Sequence, residues 1–229
     1  MAGPVPSPEV GALMPHPWCL HDPPPLAGLP LGQLVLLLVD CRQPLPRGAW
    51  EPLLASLSPA ERECRAALRR PADRQRSLLA RAGLRRLLGA WLGCAPAAVP
   101  LEAGSHGKPH CPGGPAFNLS HSGELILLAV HPSQPVGVDV ERQRPGLDWL
   151  AISRRVLPAA EWLALEGLPV EAQPAACLRA WCRLEARLKA RGEGFAGLER
   201  LRADPRAANV WTVLVPAGYA AAVALEPWP

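Results

Sequence analysis

Apolar positions along this chain change their spacing several times, and each change predicts a different element. Residues 34–39 form an unbroken apolar run that stops at Asp40. So short a run reads as a buried strand and falls far below the roughly 20 residues of a membrane-spanning helix. Ser58-Pro59-Ala60-Glu61 then carries a helix start: a serine to accept a backbone N–H, a glutamate three residues on to reach back, and proline at the first helical position. Over residues 73–92 the spacing turns helical, with Leu78, Leu79, Leu84, Leu87, Leu88 and Trp91 at intervals that mix three and four. Residues 116–119, 125–130, 136–140, 210–215 and 219–225 are β-like, while 147–156, 159–165 and 175–190 are helical by pattern. Helix and strand thus occur in both halves of the chain, which predicts an α+β fold.

Proline crowds the first thirty positions, and Pro23-Pro24-Pro25 excludes helix there, leaving an extended arm that wraps the surface. The segment His131-Pro132-Ser133-Gln134-Pro135 separates an N-terminal half, residues 1–132, from a C-terminal half, residues 133–229. With 229 residues, 49% of them hydrophobic, there is material for one large domain or two small ones. No basic segment leads into an apolar stretch and a cleavage site at the start, so the cytoplasm is the expected location. Seven scattered cysteines without a Cys-x-x-Cys pair fit reduced, mostly buried thiols there. A net charge of +4 suits a phosphate-bearing ligand or an acidic protein partner. Nucleic acid is set aside as a partner, because 5% aromatic residues and singly dispersed tryptophans offer no stacking stripe. The short apolar runs set a membrane aside as well.

Candidate chemistry lies in three segments. In Gly137-Val138-Asp139-Val140-Glu141, strand alternation sends the valines to the core and puts Asp139 and Glu141 together on the other face. Two close carboxylates repel unless a cation neutralises them, and paired oxygen ligands are what Mg²⁺ prefers; a solvated acidic face on an edge strand is the plain alternative. Further on, Trp181, Glu185 and Lys189 follow one another at i, i+4 and i+8 along one side of a helix. Alone they make an ordinary surface pair, but beside the acidic strand Glu185 completes a three-carboxylate set and Lys189 meets phosphate. The third segment is Phe117-Asn118-Leu119-Ser120-His121-Ser122, preceded by Gly107-Lys108-Pro109, whose hydroxyls, imidazole and lysine suit phosphate oxygens. Ser120 and His121 are neighbours on an extended segment and point to opposite faces, and no Gly-x-Ser-x-Gly elbow is present, which argues against a serine hydrolase.

The order GKP, FNLSHS, GVDVE and W-x₃-E-x₃-K-A-x-G-x-G resembles the 4′-phosphopantetheinyl transferases of the surfactin-synthetase type, over roughly residues 30 to 225. That resemblance implies two similar halves related by a pseudo-twofold axis in a single-chain monomer, with coenzyme A and Mg²⁺ between them. It makes Asp139, Glu141 and Glu185 the metal carboxylates. It sets Lys108, Ser120, His121 and Lys189 around the phosphates of coenzyme A, Ser120 and His121 near the 3′-phosphate end. Arg69 and Arg76 are further contacts, with Arg70 or Arg81 as substitutes. The implied reaction moves phosphopantetheine onto a serine of an apo acyl or peptidyl carrier protein, an acidic partner, with Glu185 and Lys189 catalytic. A silent coenzyme A-binding or carrier-binding relative is the competing reading. One departure stands out: the family's usual basic residue before the helix glutamate is Leu184 here. If that basic residue acts by charge, Leu184→Lys raises kcat/KM, unless Arg183 already supplies the charge, in which case Arg183→Ala is severe; if neither holds, Leu184 is core packing beside Leu188.

Overall fold

The structure is a computed structural model that describes residues 12–26, 32–104, 106–203 and 209–226. In chain order its elements are β1 (His16–Pro17), β2 (Val35–Asp40), α1 (Trp50–Ala55), α2 (Pro59–Ala66), α3 (Pro71–Leu92), β3 (Glu102–Ala103), β4 (Pro109–His110), β5 (Ala116–Ser122) and β6 (Leu125–His131). These are followed by β7 (Val136–Arg142), α4 (Trp149–Val156), α5 (Ala159–Glu166), α6 (Gln173–Arg191), α7 (Leu198–Ala203), β8 (Val210–Thr212) and β9 (Tyr219–Leu225). Mixed helix and sheet bear out the α+β expectation.

One sheet has the order β1-β2-β6-β5 and another β7-β9-β8, with β3 and β4 as a separate short pair. Strand β6 is buried along its whole length, which a strand achieves only when both faces are covered. Ile126, Leu128 and Val130 pack with Leu79, Leu84, Leu87 and Leu88 of α3. Leu125, Leu127 and Ala129 face the other way, against Val136, Val138 and Val140 of β7 and Ala221, Val223 and Leu225 of β9. The remaining face of β9, Ala220, Ala222 and Ala224, carries Cys182, Ala186 and Ala190 of α6. The layers therefore run helix, sheet, sheet, helix. Among the described residues no helix is long and apolar enough to cross a membrane.

The capping box at Ser58 is present in full, Ser58 Oγ accepting from Glu61 N at 3.2 Å and Glu61 accepting from Ser58 N at 2.9 Å. Glu61 also holds Arg81 and Arg85 of α3, so the cap ties two helices together. Of the expected surface arm only residues 12–26 are described, the rest of the first thirty positions lying outside the described residues, and this part is more deeply embedded than its prolines suggest. Trp18 and Leu20 are buried in the first core, because an extended arm exposes alternate side chains to whatever it lies on. Farther back, Leu13 bridges Val213 next to β8 in the second sheet, so the arm spans both sides of the boundary placed at residues 131–135. All seven cysteines are free; Cys111, Cys177 and Cys182 are buried, whereas Cys19 and Cys64 are exposed.

Candidate active site

Gly137 determines how β7 meets α6: a Cβ at this position would collide with the helix backbone at Ala186 and Ala190. The close approach brings Glu185 and Lys189 of α6 over the face of β7 that carries Asp139 and Glu141. The alternative of a solvated acidic face does not apply to Asp139, which is only 2% exposed because the helix lies across it. Lys189 Nζ donates to Asp139 Oδ1 at 2.6 Å and to Ser120 Oγ at 3.2 Å, and Ser120 Oγ donates to Asp139 Oδ1 at 3.0 Å. Glu141 Oε2 accepts from Ser122 Oγ at 2.6 Å, with the exposed Arg144 3.7 Å away.

Burial raises the pKa of Glu141; the Ser122 hydroxyl opposes this and the Asp139 charge adds to it. Burial likewise raises that of Glu185, where Lys189 counteracts and the Asp139 and Glu141 charges reinforce. The three carboxylates therefore sense one another, with a single ammonium in contact with Asp139. Among the described residues no three His, Cys, Asp or Glu side chains gather into a ready metal cage. Lys189 and Ser120 occupy one oxygen of Asp139 and Ser122 occupies one of Glu141. The other Asp139 oxygen, Oδ2, is buried without a hydrogen-bond partner. An unmet carboxylate acceptor beside two further carboxylates is a donor set that fits a hard divalent cation.

His121 projects from β5 on the side of Phe117 and Leu119, toward α3 and away from Ser120. Its edge reaches solvent, but the surrounding protein, then the charge of Arg76 and more weakly that of Lys189, hold its imidazole pKa below the usual value. Arg76 bonds the Gly123 carbonyl in the β5–β6 turn and pairs with Asp73. The Arg76 guanidinium is close enough to His121 for its charge to lower the imidazole pKa, and such a pair suits an anion. Arg69 and Arg70 lie exposed in the connection between α2 and α3, and Arg81 is engaged by Glu61.

Lys108 stands apart from this group. Its ammonium donates to the carbonyls of Val136 at 3.0 Å, Lys189 at 2.6 Å and Ala190 at 3.2 Å, closing the C-terminal end of α6 onto the start of β7. Leu184 is buried with Leu157, Leu188 and Leu201, and the Arg183 guanidinium turns to the Val210 carbonyl at 3.4 Å. The packing reading of Leu184 therefore holds. Ser122, whose hydroxyl was grouped with those suited to phosphate, contacts Glu141 instead; its two-residue spacing from Ser120 on one strand was the available signal for a shared face.

Carboxylates and a lysine where α6 crosses β7, with an arginine–histidine pair on the α3 side of β5, are groups suited to phosphate chemistry. Comparison with known proteins is more specific. Residues 135–224, which contain Asp139, Glu141, Glu185 and Lys189, match the family model described as the 4′-phosphopantetheinyl transferase superfamily. The chain is 35% identical over 161 residues to the 4′-phosphopantetheinyl transferase HetI of Nostoc sp., covering 68% of each protein. It is 30% identical over 157 residues to a 4′-phosphopantetheinyl transferase of Bacillus subtilis, covering 67% of this chain and 68% of that one. With 4′-phosphopantetheinyl transferase Sfp of Bacillus subtilis strain 168 the identity is 28% over 157 residues, with the same shares. The chain belongs to the 4′-phosphopantetheinyl transferase superfamily, and it is an enzyme of that class.

Proposed function

We propose that this enzyme transfers the 4′-phosphopantetheine moiety of coenzyme A to a serine of an apo acyl or peptidyl carrier protein, with Mg²⁺ as cofactor, releasing holo-carrier protein and adenosine 3′,5′-bisphosphate. The observation that carries the reading is the buried, unpartnered Oδ2 of Asp139 beside the ammonium of Lys189, in a chain of this family. Asp139, Glu141 and Glu185 would hold the ion, whose charge would offset that of the pyrophosphate.

The remaining roles fall to the chain itself. A serine hydroxyl is a poor nucleophile until it loses its proton, and Glu185, the carboxylate that α6 carries over the acidic strand, takes that proton. Lys189 faces the charge that grows on the departing phosphate. His121, Arg76 and Ser120 hold the nucleotide phosphates, with Arg69 at the exposed margin. Lys108 serves the same ligand by fixing the helix end that bears Lys189. The pseudo-twofold relation of the halves is supported by one long helix on each sheet, α3 ending at Gly93 (φ 67°) and α6 at Gly192 (φ 71°), both left-handed. We further assign a cytoplasmic monomer acting on an acidic carrier, a reading supported by the free cysteines and the net charge of +4.

The test is mass spectrometry of apo-carrier proteins incubated with the enzyme, coenzyme A and Mg²⁺. A gain of about 340 Da on the carrier serine is expected, and Asp139→Asn and Glu185→Gln each lower the rate about 100-fold or more at an unchanged denaturation midpoint. Coenzyme A binding without modification of any carrier would make this a silent relative.

A further inference from the structure

Strands β5 and β7 run side by side, yet each is the edge of its own sheet and they share no backbone ladder. Antiparallel pairing of β7 with β9 uses the amides on one side of β7 and leaves those of Val138, Val140 and Arg142 facing β5. Buried amides need acceptors. Side chains supply them: Val138 N–H donates to Asn118 Oδ1 at 2.9 Å, Val140 N–H to Ser120 Oγ at 3.3 Å and Arg142 N–H to Ser122 Oγ at 3.1 Å. The three rungs use alternate residues of both strands at a constant separation of 20 residues, so side chains replace a parallel ladder.

Two of the rungs continue into the acidic face. Ser120 Oγ donates its hydrogen to Asp139, and Ser122 Oγ donates its hydrogen to Glu141. In each case the hydroxyl accepts from one amide of β7 and donates to the carboxylate of the preceding residue. A hydroxyl has one hydrogen and two lone pairs, so it can serve both partners at once, which alanine cannot do.

We propose that Asn118, Ser120 and Ser122 lock the register of β7 against β5, and that Ser122 is a positioning residue that aims Glu141 without touching substrate. The role in aiming rests on the assignment of Glu141 under the proposed function; the register lock does not. Shifting β7 by one residue would exchange its valines for its acids, so a lock at this edge protects both the core and the site.

Amide hydrogen exchange on the intact enzyme tests the lock directly. Val138, Val140 and Arg142 are expected to be protected in the wild type, with Arg142 exchanging at least about 10-fold faster in Ser122→Ala and at the wild-type rate in Ser122→Thr. Kinetics and metal binding test the aiming. In Ser122→Ala the Mg²⁺ concentration for half-maximal transfer rises about 10-fold, while kcat at saturating Mg²⁺ and KM for coenzyme A stay within about threefold. Mn²⁺ binding followed by electron paramagnetic resonance weakens in step, and Ser122→Thr restores both. Unprotected amides in the wild type, or a threonine variant that behaves like the alanine one, overturn the lock. Faster exchange with unchanged metal affinity overturns the aiming alone. A wild-type enzyme that modifies no carrier refutes the functional reading and leaves the exchange result to decide the lock.

Discussion

Two helices lie on two sheets in this protein, and their contacts differ in kind. Helix α3 meets the first sheet through large side chains, Leu79, Leu84, Leu87 and Leu88, and its charged contacts with Glu61 serve to fasten α2. Helix α6 meets the second sheet through Cys182, Ala186 and Ala190 against Ala220, Ala222 and Ala224. Large residues fill space and hold backbones apart, whereas small ones let them approach. The first contact is a core. In the second, close approach carries Glu185 and Lys189 over Asp139 and Glu141, so the apolar contact doubles as the mount for a charged site.

Each half has a glycine at its helix–sheet contact, and substituting them separates the two kinds. A Cβ on Gly137 meets helix backbone, which cannot step aside; Gly137→Ala should cost more than about 3 kcal/mol in urea denaturation and abolish activity. A Cβ on Gly83 meets the flexible end of Leu20 at 2.8 Å, and alanine is the better helix former. Gly83→Ala should therefore stay within about 1 kcal/mol of wild type. Equal costs would erase the distinction.

The helix ends sharpen it. Helix α3 ends on a glycine cap, whereas the end of α6 also receives the Lys108 ammonium, whose pKa burial lowers from 10.5 to about 8. Between those two values the folded chain has released a proton that the unfolded chain keeps, so stability rises with pH across that window. Below about 8 both forms are charged and this contribution is at its lowest. Relative to Lys108→Met, the wild type should gain up to about 3 kcal/mol between pH 8 and 10.5, measured as unfolding free energy against pH. Parallel curves would remove the buried ammonium from the account. A smaller effect is expected at Leu184, where lysine would place a charge among Leu157, Leu188 and Leu201. Leu184→Lys should destabilise by about 2 kcal/mol without raising kcat/KM. A faster enzyme would restore the electrostatic reading of that helix turn.

The long elements were legible because their signals are local. The capping box at Ser58 and the leucine spacing of α3 state helix by themselves, and β2, β5, β6, β7 and β9 each fall on an apolar or alternating run. Helix α1 was missed: it is six residues long, its N-cap Ala49 offers no side-chain cap, and it is held through buried Leu53. Strand β5 runs on through Ser120, His121 and Ser122, which read as a polar end because their partners lie on β7, distant in sequence. The same limit applies at the site. Motif order named Asp139, Glu141, Glu185 and Lys189, which the fold brings onto one face. Lys108 looked like a phosphate ligand from its glycine and proline neighbours, but the carbonyls that fix its ammonium come from the far end of α6, which no local pattern shows.

The N-terminal arm carries a consequence for how the chain reaches this structure during synthesis. Trp18 and Leu20 can dock as soon as β2 and α3 have formed, but Leu13 must wait for residues at the other end of the chain, where it takes the amide of Leu214 and gives its own to Thr212 at 2.8 Å each. Ring closure over so long a separation is entropically costly and slow, so this bridge forms among the last contacts. Until then the outer edge of β8 has no strand partner among the described residues, and such an edge invites pairing with another chain. The arm thus works as a late-closing cover: a segment made before β8 waits to guard its edge, and the nascent enzyme is most open to association in that interval.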